Sequence, residues 1–251
     1  MKQTGFILFL VIASFNAKAQ SPLNKQRYAD SLIQLSKNAS ANTTKAKSSF
    51  LLSELYLKTD TVVSAQYLKE GLNYSKGNKF MEAVSLFYKA LAITKSNPKL
   101  AEQMFLKADD ALGSYKNKEA FLIRSMCWNR YATLQKLKGD TKAYIDMMLN
   151  KSIPLATQSG NMAFIGKDYF DMAMGFKNLS HFTEAETYLK KSISILKNTN
   201  APHYLALAYH VISENYTMLG KAKEAKASLD SMEVLLKPYP QSEMWLDYYA
   251  G

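Results

Sequence analysis

The sequence predicts an all-α protein built as a right-handed α-solenoid of about five helix–turn–helix repeats. Three observations predict it. Apolar residues recur at three- and four-residue spacing, as in Ala185, Leu189, Ile193 and Leu196, the period of a helix with one buried face. No run sustains the period-two alternation of β-branched residues that marks a half-buried strand. Two series of helix-breaking residues share one period. The first holds Asn38, Asn78, Asn117, Asn161 and Asn198, spaced by 40, 39, 44 and 37 residues. The second begins at Thr59, Ser96, Gly139, Ser180 and Gly220, spaced by 37, 43, 41 and 40. Gly, Asn, Asp and Ser end one helix and cap the next, so two interleaved series of equal period define a repeated pair of helices.

Residues 1–20 come first and read as a targeting segment. Lys2 supplies the positive start, residues 6–13 are an uninterrupted apolar run, and Ala17-Lys18-Ala19 presents small residues to a signal peptidase. That run is too short to span a bilayer, which takes ~20 apolar residues. The expectation is a signal peptide at residues 1–19, cleaved after Ala19, and export to the periplasm or another extracytoplasmic space. Residues 20–41 then carry an amphipathic capping helix over 24–37, and the helical array fills residues 42–240. Residues 241–251 hold the aromatic-rich SEMWLDYYAG, the start of a further repeat that stops. No later segment is long and apolar enough to cross a membrane.

The repeat detail narrows the class. In the last full unit, Tyr209, Ile212-Ser213, Tyr216, Gly220, Ala225, Leu229 and Met232 stand at recurring positions. The unit before matches with Tyr169, Met172-Ala173, Phe176, Ser180, Ala185 and Leu189. This pattern resembles the tetratricopeptide repeat, in which a small residue lets the paired helices approach and large residues fill the gap between pairs. A third unit follows it through Trp128, Tyr131-Ala132 and Gly139, but departs at Gln135 and carries Ala143 one residue out of register. Farther upstream two phases compete. Phe80-Met81-Glu82-Ala83 through Phe87, Ala90 and Leu91 resembles the family's second helix, with Gly71 and Tyr74 before it, whereas the break series makes residues 81–94 a first helix. The period near forty exceeds the family's usual 34 residues, so the helices should be longer. An exported array of this kind is similar in layout to the N-terminal sensory regions of bacterial membrane histidine kinases. That likeness implies an input domain for signalling, with a free-standing envelope adaptor as the other expectation.

Catalytic chemistry has little to stand on. The chain has no Gly-x-Ser-x-Gly elbow, no phosphate-binding glycine loop, no Cys-x-x-Cys and no His-Glu-x-x-His. Cys127 is the single cysteine, so no intrachain disulfide forms, and its aromatic-rich setting reads as a small buried hydrophobe. His203, His210 and Glu214 share a helix face without a further metal ligand. Asp109-Asp110 diverge around a helix, as do Glu184 and Glu186, so both pairs read as solvated faces. The formal charge of +11 falls to +9 without Lys2 and Lys18. Only Arg27, Arg124 and Arg130 are arginines, and the lysines are scattered, unlike a nucleic-acid stripe. No enzyme activity, cofactor, metal or nucleic acid is expected.

What remains is the concave groove that the family resemblance implies. Beside the packing positions of the first helices stand Asn129, Thr133 and Lys136; Lys167, Phe170, Lys177 and Asn178; and His210, Glu214 and Thr217. Amide, lysine and aromatic groups in this mixture suit a protein or peptide partner. The register itself is open to test. Ala225→Leu should overpack a helix–helix contact and cost ~1–3 kcal/mol, read as a lowered thermal midpoint; an unchanged midpoint would contradict the register.

Overall fold

In the computed structural model, residues 23–250 are described; the signal peptide and its cleavage point lie outside them. Among the described residues every regular element is helical. Helix α1 (Lys25–Asn38) precedes five antiparallel pairs. These are α2 (Asn42–Tyr56) with α3 (Thr61–Ser75), and α4 (Lys79–Ile93) with α5 (Pro98–Leu112). Helix α6 (Lys118–Leu137) pairs with a bent second helix made of α7 (Thr141–Met147), a π-helical turn (Met148–Ser152) and α8 (Ile153–Ser159). The last pairs are α9 (Met162–Asn178) with α10 (Phe182–Leu196), and α11 (Pro202–Met218) with α12 (Ala222–Leu236). Helix α13 (Met244–Ala250) then packs on α11 and α12.

The breaks work as capping chemistry predicts. The side chains of Asp60, Asn78, Asn97, Asn117, Asp140 and Asn161 each accept a hydrogen bond from a backbone N–H in the first turn that follows, at 2.8–3.1 Å. Each satisfies a donor that the helix cannot. Asn38 and Asn198 behave differently. Asn38 is the last residue of α1, and the Asn198 amide donates back to the Ser194 carbonyl at 3.1 Å. Gly77, Gly139, Gly160 and Gly220 hold φ of 79°, 92°, 67° and 71° at the breaks. Ser180 takes the same role at φ 60°, a conformation in which its Cβ is crowded.

One phase runs through the whole array, with α4 as a first helix, as the break series favours. The competing pattern arose because unit one reverses the usual assignment of small and large residues. Gly71 lies on the second helix α3, and a Cβ there would come within 2.6 Å of the buried Phe50 ring on α2. Unit three is resolved in the same way. Tyr144 occupies the place expected of a small residue near Ala143, and Gly175 on α9 makes room for it. A Cβ at Gly175 would sit 2.7 Å from the Tyr144 ring. The π turn has a local cause. Pro154 has no N–H to give the Asn150 carbonyl, and the Ile153 N–H bonds instead to Met148, five residues back.

The units wind tightly. Lys47 on α2 meets Glu119 on α6 at 2.6 Å, and Glu54 on α2 meets Arg130 on α6 at 3.4 Å, both across the intervening α4. At the ends, Leu23 packs against the C-terminal core cluster and Lys25 lies 3.3 Å from Glu243. The strained cap supplies a stability test. Ser180→Gly should raise stability by about 0.5–1 kcal/mol, the αL relief less glycine's greater freedom when unfolded, measured as a shift in the urea midpoint.

Candidate functional site

The inward positions named from sequence divide by their place along the helix. Those in the last turns of α9 and in the C-terminal half of α11 come together. Lys177, Asn178, Glu214 and Thr217, with Met174, Phe182 and Met218, surround a depression of about 410 Å³. Lys177 pairs with Glu214 across the two helices, and His210 Nε2 stands 3.6 Å from the other Glu214 oxygen. His210 Nδ1 is buried with no hydrogen-bond partner among the described residues. The depression sets the apolar side chains of Met174, Phe182 and Met218 beside groups that both donate and accept hydrogen bonds.

Mid-helix positions fare differently. Asn129, Lys167 and Phe170, expected on the groove wall, are buried. At mid-length, side chains from neighbouring helices cover the positions beside the packing stripe. Phe170 joins the C-terminal apolar core. The Asn129 amide spans the seam, donating to Asp168 Oδ1 at 2.9 Å and to Asp171 Oδ2 at 2.8 Å. Lys167 pairs with Asp171 one turn along its own helix. Burial alone would lower the Lys167 ammonium's pKa, but Asp171, Tyr204 and Asp168 around it raise it on balance. Thr133 and Lys136 are half-buried: the Thr133 hydroxyl donates to the Asn129 carbonyl at 2.9 Å, and the Lys136 ammonium lies 4.9 Å over the Tyr144 ring.

The π turn feeds the same network. Ser152 donates to Asp168 Oδ2 at 2.6 Å, and the Ser125 hydroxyl, 3.1 Å from that of Ser152, donates to the Ser152 carbonyl at 2.9 Å. Asp168 is fully buried, and burial pushes its carboxyl up to about 7 against the pull of Lys167 and the two hydrogen-bond donors Ser152 and Asn129. Sequence reading missed Asp168, Asp171 and Arg130. The Lys167/Asp171 spacing of four on one helix was the available signal.

Residues read as solvated carboxylates also prove to be ties between units. Asp109 pairs with Arg124 at 2.7 Å, and Glu186 with Lys190 and Lys221 at 2.6 Å each. Hydrogen bonds from those two lysines hold the Glu186 carboxyl below its ordinary range. Cys127 is buried, and burial pushes its thiol well above the usual value, away from the nucleophilic form. Among the described residues no three His, Cys, Asp or Glu side chains gather as metal ligands, and no helix is long and apolar enough to cross a membrane.

No protein-family model matches the chain, and no curated protein is similar in sequence. Solved structures do match in fold. BtubC from P. vanneervenii superposes with TM-score 0.62 at 11% identity, over 87% of this chain and 91% of that one. A Rap protein solved in complex with Competence and Sporulation Factor gives TM-score 0.69 at 16% identity, over 88% of this chain and 61% of the Rap chain. TPR-like repeats of a putative kinesin light chain from Podosopora anserina give 0.55 at 12%, over 82% of this chain and 100% of that one. The architecture is thus a right-handed, TPR-like α-solenoid.

The buried carboxyl predicts a pH dependence. The native state holds a proton on Asp168 that the unfolded chain releases near pH ~4, so stability should fall as pH rises from about 4 to about 7. In Asp168→Asn, which can keep bonds to Asn129 and Ser152, urea midpoints should lose most of that slope; an unchanged slope would assign it to other groups.

Proposed function

We propose that the chain is a non-catalytic helical-repeat scaffold whose groove holds an extended peptide segment of a partner protein. The observation that carries this reading is the depression between α9 and α11. There Lys177, Asn178, Glu214 and Thr217, from two successive first helices, stand with Met174, Phe182 and Met218 around a depression of about 410 Å³. Such a mixture matches a peptide, whose backbone offers donors and acceptors and whose side chains seek apolar contact. The Rap protein of like fold is itself solved with Competence and Sporulation Factor, which supports the reading by analogy.

The proposal extends to place and role. The leader-like residues 1–19 favour export, and an exported array of this period is similar in layout to sensory input regions of membrane histidine kinases. We therefore read the groove as an input site on the extracytoplasmic side of a signalling protein.

A random peptide library displayed against the full chain tests the groove. Selected peptides should bind with measurable heat. Thr217→Trp, which crowds the rim from an exposed position, should weaken them at least about tenfold, or 1.4 kcal/mol. Ser231→Trp on α12 should leave binding unchanged. A library without binders, or binding indifferent to Thr217→Trp, would refute the assignment.

A further inference from the structure

One of the unit-skipping ion pairs borders a second site, which none of the groove positions named from sequence occupies. Helices α2 and α6 face each other across α4. Leu51 forms one wall, Leu122, Ile123 and Met126 the other, and Val84 and Tyr88 the floor of a cavity of about 240 Å³. The floor is rigid, because Tyr88 stacks on the buried Phe50 with ring centroids 4.6 Å apart and planes within 6°. One end is strapped: Lys47 and Glu119, each one turn before the apolar wall on their helices, line the cavity and pair at 2.6 Å. Glu54 and Arg130, one turn after the wall, pair at 3.4 Å outside the cavity lining.

Size and charge define the occupant. A dry cavity of about 150 Å³ already accepts benzene, so this one has room for a single aromatic or branched aliphatic side chain. In the two pairs each glutamate has its own cation. The surplus cation is Lys118, which lines the cavity, carries no ion pair among the described residues, and has its ammonium 3.8 Å from the point where a Cβ on Gly160 would stand. A carboxylate is the group that complements it.

We propose that this cavity is an anchor site for a peptide carrying one bulky apolar side chain next to a carboxylate. It rests on the peptide-groove reading and adds which residue class the groove selects. The side chains of the two pairs keep 20–36% of their surface exposed, so this side of the cavity reaches solvent.

The test uses the methyl-labelled full chain and N-acetylphenylalanine as probe. Its fifteen heavy atoms place the expected Kd on the order of 1 mM. Methyl resonances of Leu51, Val84, Leu122 and Ile123 should shift and saturate. N-acetylphenylalaninamide, lacking the carboxylate, should bind about tenfold more weakly, and Lys118→Ala should abolish that difference. Leu122→Trp, checked for folding by its helical circular dichroism, should fill the cavity and remove the shifts; if it misfolds, the Lys118→Ala comparison still decides. Absence of saturable shifts at these methyls, or shifts confined to Met174 and Met218, overturns the proposal. Failure of the groove reading looks different: displayed peptides find no binder while the probe still saturates this cavity.

Discussion

Each helix pair in this chain has two apolar faces and only its neighbours to bury them against, so close approach between helices is the constraint on which everything else depends. It is met by matched volumes rather than by a fixed motif. Gly71 lies against Phe50, Gly175 against Tyr144, and Gly166 against Leu196, whose side chain would come within 2.6 Å of a Cβ there. A glycine on one helix is thus the counterpart of a large residue on the other. Interiors pack near crystalline density, so moving the large residue from one helix to its partner conserves the contact while scrambling the sequence pattern.

The same close approach explains why polar residues are sealed inside. Where α6 and α9 meet, Asn129, Asp168, Asp171, Lys167, Ser125 and Ser152 form one connected network. Burying such groups is unfavourable unless each finds a partner, and here the π turn provides one by carrying Ser152 onto Asp168. The network ties unit three to unit four with directional bonds, most of them fully buried. That makes the junction specific in register, since a slip of one residue would leave Asp168 buried without donors.

Much of this was legible in the sequence. The capping residues at 60, 78, 97, 117, 140 and 161 marked helix starts because the bond they make is local. The common period established the array. Lys177, Asn178, Glu214 and Thr217 line one depression as expected from their positions toward the helix ends, beyond the seam, where spacing along the helix decides placement. Asn129, Lys167 and Phe170 escaped because their burial depends on the neighbouring first helix, a distance in space that helical periodicity does not encode. Arg130 and Glu54 escaped for the same reason, being 76 residues apart and joined only by curvature.

That curvature also limits what the interior can hold. The gap between α2 and α6 is bridged by one lysine reaching one glutamate, and again by one arginine reaching another. A helix with its side chains is about 10–12 Å across and would have to displace both pairs and the side chains behind them. Extended chain would not: it needs only a strand's width and offers one side chain at a time to a wall. Between units four and five the Lys177–Glu214 pair bridges the rim and leaves Thr217 and Asn178 exposed beside it; between units one and three two pairs bridge the gap. On the proposed reading, backbone lies along the first of these and a single side chain lodges at the second, so an extended segment is the form of ligand that the proposal favours.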